Sequence, residues 1–362
     1  MTFKVKTKGQ IEGEKLLVPK LRFKEFDKEY KKCRIGDTLK VKSGKDQKLI
    51  ECINGKYPIL GTGGQIGTTN NFLYDKPSVL IGRKGTINKP QYMTTPFWTV
   101  DTLFYTDIKE GFNTKYIFYA FQNINWKKYD ESTGVPSLSC KTIEEILYYI
   151  PNKDEQAKIS TFITLLDKKI ELQQKKIEAL KIYKRGLIQK IFNDIKYNNL
   201  IKLQDLYDFS YGEGNTNPDN GGIYPIYGAN GKIGGFNKYN AEYSVVIGHM
   251  GAYAGNVLFE ENKHFVTYNG TIAIPKNTEV LKPKFGYYML LNTNLPRICA
   301  GSGMPFLSYE TLNNIKVKLP DIKTQEKCEK TLDVIERKIK LEKRKLQNLN
   351  KIKKSLLQQM FI

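Results

Sequence analysis

Histidine is almost absent from this chain, with two residues, His249 and His264, among 362. A metal site built on several histidines is thereby excluded. Cysteine is scarce as well. Cys33, Cys52, Cys140, Cys299 and Cys328 are odd in number and scattered, with no Cys-x-x-Cys pair, so neither a zinc site nor a disulfide framework is supported. No apolar run approaches the ~20 residues of a membrane span. The opening Met1-Thr-Phe-Lys-Val-Lys6 lacks the apolar core of a secretion signal, and a reducing, cytoplasmic location is expected. Acidic charge is in deficit: 37 Asp and Glu face 58 Lys and Arg, a net charge of +21. A chain so basic suits a polyanion, nucleic acid first. What is present is hydrophobic residues at 40% and aromatics at 12%, including 23 Tyr and 18 Phe. That is enough for real cores and excludes a disordered basic tail. At ~150 residues per domain, the length suggests about two domains.

The chain repeats itself. Tyr57-Pro-Ile-Leu-Gly-Thr-Gly-Gly-Gln-Ile-Gly67 returns as Tyr224-Pro-Ile-Tyr-Gly-Ala-Asn-Gly-Lys-Ile-Gly234. Val79-Leu-Ile-Gly-Arg-Lys-Gly85 answers to Val245-Val-Ile-Gly-His-Met-Gly251, and Ser132-Thr-Gly-Val-Pro-Ser-Leu-Ser139 to Gly301-Ser-Gly-Met-Pro-Phe-Leu-Ser308. Ile150-Pro151 and Gln156 reappear as Leu319-Pro320 and Gln325. The offset stays between 166 and 169 residues. That is far too long for a solenoid unit of roughly 20–50 residues, so a whole domain is duplicated.

Each copy has two parts. The first is rich in Gly, Tyr and β-branched residues. Ser78–Ile81, Thr102–Tyr105, Ser244–Ile247 and Thr271–Ile274 read as short strands, and Asn-Gly at 54–55, 230–231 and 269–270 marks turns. Thr114–Phe121 and Phe285–Leu291 read as short amphipathic helices. The second part, after Pro151 and Pro320, turns to Lys, Glu, Gln and Leu. Apolar residues fall at heptad a and d sites: Ile163, Leu166, Ile170, Ile177, Leu180, Leu187 and Ile191, then Leu332, Ile335, Ile339, Leu346, Leu349, Leu356 and Met360. Even the polar interruptions match, Gln173 with Glu342 and Lys184 with Lys353. Ordinary helix–core packing has the same period. Length, roughly 40 residues against a usual ~12, and near-identity of the two stripes favour an antiparallel coiled coil about a pseudo-two-fold axis. Such helices would space the globular parts by roughly 45–60 Å.

Catalytic motifs are missing. No Asn/Asp-Pro-Pro-aromatic loop of an adenine methyltransferase is present; Asn217-Pro218-Asp219-Asn220 is the near miss. Gly228-Ala-Asn-Gly-Lys232 is too short for a phosphate loop. A metal nuclease pairs Pro-Asp with a later Glu-x-Lys. Pro218-Asp219 with Glu261-Asn-Lys263 and Pro320-Asp321 with Glu336-Arg-Lys338 fit that loosely, and the first copy has neither set in register. No catalytic and no metal-binding residues are expected.

Two Gly- and Tyr-rich units, each followed by a heptad helix, resemble the specificity (S) subunit of type I restriction–modification enzymes. The residues that carry the resemblance are Val18-Pro-Lys-Leu-Arg-Phe23, the two Tyr-Pro-Ile-x-Gly segments, Gly134-Val-Pro-Ser-Leu-Ser139 with Gly303-Met-Pro-Phe-Leu-Ser308, and Pro151 to Gln156. The second helix approach, Pro320-Asp-Ile-Lys-Thr-Gln325, departs by having Thr324 where the family usually has Glu. The resemblance implies an α+β chain of two target-recognition domains, at 31–152 and 197–320. Residues 1–30 precede them, and helices at 153–196 and 321–362 follow each in turn. It also implies that each domain reads half of a bipartite double-stranded DNA site, and that the helices set the spacer and dock two methylation (M) subunits. The S subunit then does no chemistry and holds no cofactor. AdoMet would belong to the M subunits, and ATP and Mg to the restriction (R) subunits, in a host-defence complex. Recognition by a type IIB enzyme's subunit, or by a free-standing DNA-binding protein, stays open.

Reading bases needs side chains on loops between strands. Copy one offers Gln65, Asn70, Asn71, Arg83 and Lys84; copy two offers Lys232, Asn237, Lys238, His249 and Tyr253. Gly82 and Gly85, like Gly248 and Gly251, bracket the pair that differs most between copies. The retained Gly134-Val-Pro and Gly303-Met-Pro read as features of the frame or of shared backbone binding. Apolar Leu165, Ile182 and Ile188 fall outside the seam and are expected to face a partner.

Overall fold

The structure is a computed structural model that describes residues 2–5, 18–195, 200–214, 219–301 and 303–362. Residues 6–17 of the N-terminal stretch, Asn217-Pro218 and Ser302 lie outside the described residues. The chain divides into two compact units, Met1–Gln173 with Lys345–Ile362, and Gln174–Arg344. Each unit holds one globular part and a length of both long helices.

In unit 1 a four-stranded antiparallel sheet runs in the order Leu39–Lys42, Leu103–Ile108, Ser78–Gly82, Gln91–Met93. The strand Ser78-Val-Leu-Ile-Gly82 is buried at all five positions, as an uninterrupted apolar run inside a sheet should be. Beside it the hairpin Tyr57–Gly61 and Gly64–Thr69 pairs in parallel with Trp98–Thr99. The hairpin turns at Gly64, whose φ of 117° suits glycine. Helix Thr114–Asn123, capped by the Asn113 side chain, buries Tyr116, Ile117 and Phe121. Unit 2 repeats this order with Tyr207–Tyr211, Gly270–Pro275, Ser244–Gly248 and Val257–Glu260. Its hairpin, Tyr224–Gly228 and Gly231–Phe236, pairs with Phe265–Val266, and Pro283 opens its helix Pro283–Asn292. The strands and short helices expected from the sequence fall within these elements, apart from Thr102, which lies in the turn before the strand Leu103–Ile108.

The long helices span Lys153–Asp194 and Ile322–Met360. Asn152 accepts the Glu155 N–H (3.0 Å) and Asp321 the Thr324 N–H (2.9 Å), capping their first turns. The glutamine that ends each approach motif has a mechanical role. Gln156 accepts the Asn113 N–H (2.9 Å) and donates to the Pro151 carbonyl (2.9 Å). Gln325 accepts the Lys282 N–H (2.9 Å) and donates to the carbonyls of Pro320 (2.9 Å) and Val280 (2.8 Å). Both are buried. Each stitches a long helix to the start of its unit's short helix.

The long helices also complete the cores. In unit 1, Ile159, Ile163, Met360 and Phe361 join Val79, Ile81, Tyr116 and Phe121, with the rings of Tyr116 and Phe361 5.1 Å apart. In unit 2, Ile188, Phe192, Ile195 and Leu332 join Val245, Ile247, Phe285 and Tyr288. Ile188 was expected to face a partner; it is buried in this core because the helix turns that residue onto Pro283–Asn292. Within each unit the two helices run antiparallel. Three of the four polar interruptions of the stripe are ion-paired across them: Lys353 with Asp167 at 2.7 Å in unit 1, and in unit 2 Glu342 with Lys176 at 3.0 Å and Lys184 with Glu336. Among the stripe residues Ile163, Ile170, Ile177, Leu332, Ile339 and Met360 are buried. Leu166, Leu180, Leu187, Ile191, Ile335, Leu346, Leu349 and Leu356 are half-buried.

Unit 1 has one device that unit 2 lacks. Arg22, on the strand Leu21–Phe23, grips Glu155 through two bonds of 2.7 Å, with both side chains buried and the Tyr30 hydroxyl 3.3 Å from the same carboxylate. Thr324 replaces that glutamate in unit 2 and bonds Asp321 instead (3.0 Å). Glu155→Ala should destabilise unit 1 by about 3–5 kcal/mol, because Arg22 is left as an unpaired buried charge. Thr324→Ala should cost about 0.5 kcal/mol or less. Thermal melts of the two variants check this. Lys184→Glu, which sets two acids face to face, should cost about 1–3 kcal/mol and be rescued by Glu336→Lys in the same chain; a double-mutant cycle measures it.

Candidate nucleic-acid interface

One end of the four-stranded sheet gathers loops. In unit 1 Lys42 pairs with Tyr105 and Gly82 with Leu103, so Ser43, Arg83 and Asp101 all follow at this end of the sheet. In unit 2 Tyr211, His249 and Tyr268 take the same places. The equivalence rests on matching backbone hydrogen bonds. The Arg83 N–H donates to Thr102 O and the His249 N–H to Asn269 O, both at 2.8 Å. Leu138 N donates to Arg83 O (2.9 Å), as Leu307 N does to His249 O (2.8 Å). Gly85 N donates to Pro136 O and Gly251 N to Pro305 O, both at 2.8 Å.

These bonds explain the retained Gly-x-Pro segments. Their prolines supply the carbonyls that pin the loop after the central strand. Gly85 and Gly251 sit at φ of 79° and 82°, a backbone that glycine adopts freely. Gly44 and Gly212 are retained for space, since a Cβ there would lie 2.0 Å from Val100 O and 2.2 Å from Thr267 O. Ser139 and Ser308 then cap the helices Cys140–Glu145 and Tyr309–Asn314, which brings Cys140 and Tyr309 to the same spot.

The sequence candidates separate into two places. The hairpin turn joins the loop end through Gln91 Nε2 to Gly61 O (2.8 Å) in unit 1 and Asn256 Nδ2 to Ala229 O (2.9 Å) in unit 2. Gln65, Arg83 and Lys84 therefore belong to one end, as do Lys232, His249 and Tyr253. Asn70 and Asn71 lie at the far end of the hairpin, where Asn70 Oδ1 accepts the Lys56 N–H (3.2 Å). Asn237 and Lys238 follow the equivalent strand end, and both are exposed. His249 is buried, and its Nδ1 lies 3.0 Å from the Leu307 carbonyl. Ser43, Asp101 and Cys140, with Tyr211, Tyr268 and Tyr309, were not singled out by the sequence reading. The offset of 168 between Gly44 and Gly212 aligns the residues around them.

The two ends differ in chemistry. In unit 1 the Arg83 guanidinium donates to Asp101 O (3.3 Å), and Lys84 is exposed. Burial pushes the Cys140 thiol up, and the Ser43 hydroxyl draws it partly back, so this thiol is a poor nucleophile. In unit 2 Tyr211 stacks on Tyr309 at 4.0 Å and 16°, with His249 at 4.2 Å and Tyr268 at 6.0 Å from the Tyr211 ring. Burial raises the Tyr211 and Tyr309 hydroxyls, which stay protonated as donors. The residues of the loose nuclease patterns are otherwise engaged. Asp219 accepts from Gly235 N (3.0 Å), Glu261 pairs with Lys284 (2.9 Å), Asp321 caps a helix and Glu336 pairs with Lys184. Among the described residues no cluster of His, Cys, Asp or Glu converges to hold a metal ion, and no helix is long and apolar enough to cross a membrane.

A family model described as the type I restriction modification DNA specificity domain matches residues 27–181 and again 199–351. The EcoprrI specificity subunit of Escherichia coli is 24% identical over 153 residues, 41% of this chain and 38% of its own length. The MjaVIII specificity subunit of Methanocaldococcus jannaschii is 21% identical over 293 residues, 67% of this chain and 68% of its own. The chain thus spans well under half of the first relative and about two thirds of the second. The S subunit structure from M. genitalium superposes with a TM-score of 0.64 at 20% identity, covering 95% of this chain and 99% of that one. A chain from a structure on complex assembly and conformational transition of the type I R-M system gives 0.57 at 11% identity, covering 91% of this chain and 96% of that one. At these identities the structural likeness is one of fold. The family match takes in both repeats and most of the residues between: the chain belongs to the type I restriction modification DNA specificity family and carries that domain twice.

Proposed function

We propose that the chain is the DNA-recognition subunit of a type I restriction–modification complex, each unit reading one half of a bipartite site. The observation that carries this is the pair of loop ends, held by the same backbone bonds and bearing different side chains. Two readers of two sequences need that combination. The chain itself is non-catalytic in this reading. AdoMet is held by methylation subunits, and ATP and Mg by restriction subunits.

The helices support two partner copies. Unit 1 exposes Leu165, Leu172 and Ile352, and unit 2 exposes Val334, Leu341 and Tyr183, each at least half accessible. These are equivalent positions at the offset of 169. One apolar set per unit suits one methylation subunit per unit. Ile182 is exposed beside the second set. Leu172→Asp with Leu341→Asp should leave the melting temperature nearly unchanged and abolish co-purification of methylation subunits. Retained co-purification would place the docking elsewhere.

The helices would also serve as the ruler. Seven residues lengthen a helix by roughly 10 Å, about three base pairs of rise. Inserting one heptad after Leu180 and one after Leu349 keeps the apolar stripe in phase. The methylated motif in host DNA should keep both half-sites and gain about one to three base pairs of spacer, with DNA bending absorbing the remainder. An unchanged spacer with methylation retained would remove the helices as the ruler. No motif dependent on this chain at all would remove the recognition function.

A further inference from the structure

The duplication provides an internal comparison. Around the loop end the glycines, prolines, capping serines and backbone bonds are the same in both units. Four adjacent positions change together. Ser43, Arg83, Asp101 and Cys140 become Tyr211, His249, Tyr268 and Tyr309. A spot that met the same neighbour in both units would keep its chemistry, as the frame around it does. A spot that served only as core would stay apolar in both. Here a polar, partly charged set is replaced by rings.

The rings are not sealed in. Tyr268 is 38% exposed, and Phe306 and Met304, on the loop whose Leu307 bonds the His249 backbone, are 43% and 65% exposed. Tyr211 spans the group by stacking on Tyr309 while lying 6.0 Å from Tyr268. Tyr268 packs against this pair, tilted on Tyr211 and edge-on to the His249 ring at 5.9 Å, so its side chain is already supported and presenting it costs little further side-chain entropy. Base pairs offer two kinds of handle in the major groove: hydrogen-bonding edges and the 5-methyl group of thymine. Arg83 and Lys84 match the acceptors of guanine. A surface of ring edges, Met and Phe matches the methyl.

We propose that the two ends read different base chemistry: the Tyr211–Tyr268–Tyr309 cluster of unit 2 contacts a thymine methyl in its half-site, while Arg83 and Lys84 of unit 1 contact guanine in the other. This rests on the DNA-reading function proposed above. Tyr268 is the exposed specificity-determining ring, and Tyr211 and Tyr309 are positioning residues behind it.

The test uses the full chain purified with its methylation subunits and a pool of randomised double-stranded DNA. The wild-type complex should enrich a bipartite site. Replacing thymine by deoxyuridine, which deletes only the methyl, should weaken binding about fourfold at one or more positions of a single half-site. Tyr268→Ala should abolish that deoxyuridine effect and relax the same half-site, with the other half and the melting temperature unchanged. Arg83→Ala and Lys84→Ala should relax a G·C position of the other half by about five- to hundredfold. Tyr211→Phe with Tyr309→Phe should retain the thymine preference, because the rings remain. Wild-type binding indifferent to deoxyuridine, or an effect that survives Tyr268→Ala, overturns the inference alone. A complex that enriches no sequence overturns the recognition function, and the inference with it.

Discussion

Two buried glutamines hold the junction on which each unit depends. Gln156 and Gln325 each tie the first turn of a long helix to the backbone at the start of a short one, and each also bonds the proline carbonyl before it. A buried amide left without its partners costs about 1–3 kcal/mol, so the geometry of this junction is closely held. From it follow the direction of the long helix and the side chains it delivers to the core. Ile163 and Leu332 reach their places because the helix leaves the junction at that angle. The short helix in turn backs the central strand, whose end carries the loop at the candidate interface.

Much of this architecture was legible in the sequence. The repeat is visible because motif spacing survives where residue identity does not. The helices are visible because seven-residue periodicity persists over several turns, and Gly-x-Pro stood out as a feature of the frame. Contacts between residues far apart were not legible. Nothing near Glu155 announces that its partner is Arg22, 133 residues earlier. Ile188 carries the same apolar signal as Leu165, and only the packing of the unit 2 core separates a buried residue from an exposed one. At the candidate interface the sequence singled out loop polars. The ring cluster escaped because Tyr211, Tyr268 and Tyr309 come from three separate segments that only the fold brings together.

Charge and packing divide the work along the helices. Lysines at seam positions interrupt an apolar stripe that would otherwise be more stable with leucine. Each sits against an acid on the neighbouring helix, so a slip of one turn would part Lys184 from Glu336 and Lys353 from Asp167. Register is thereby chosen at some expense in burial.

The division of the chain has a bearing on how the molecule is made. Unit 2 is one continuous stretch, Gln174–Arg344, whereas unit 1 joins Met1–Gln173 to Lys345–Ile362. During synthesis from the N-terminus, the globular part that emerges first still lacks Met360 and Phe361, which sit within its core. It waits with an apolar gap until more than 180 further residues have been added. The later unit has all its pieces sooner. Unit 1 can therefore close its core only after the whole of unit 2 has been synthesised, and until then apolar surface of its unfinished core stays uncovered.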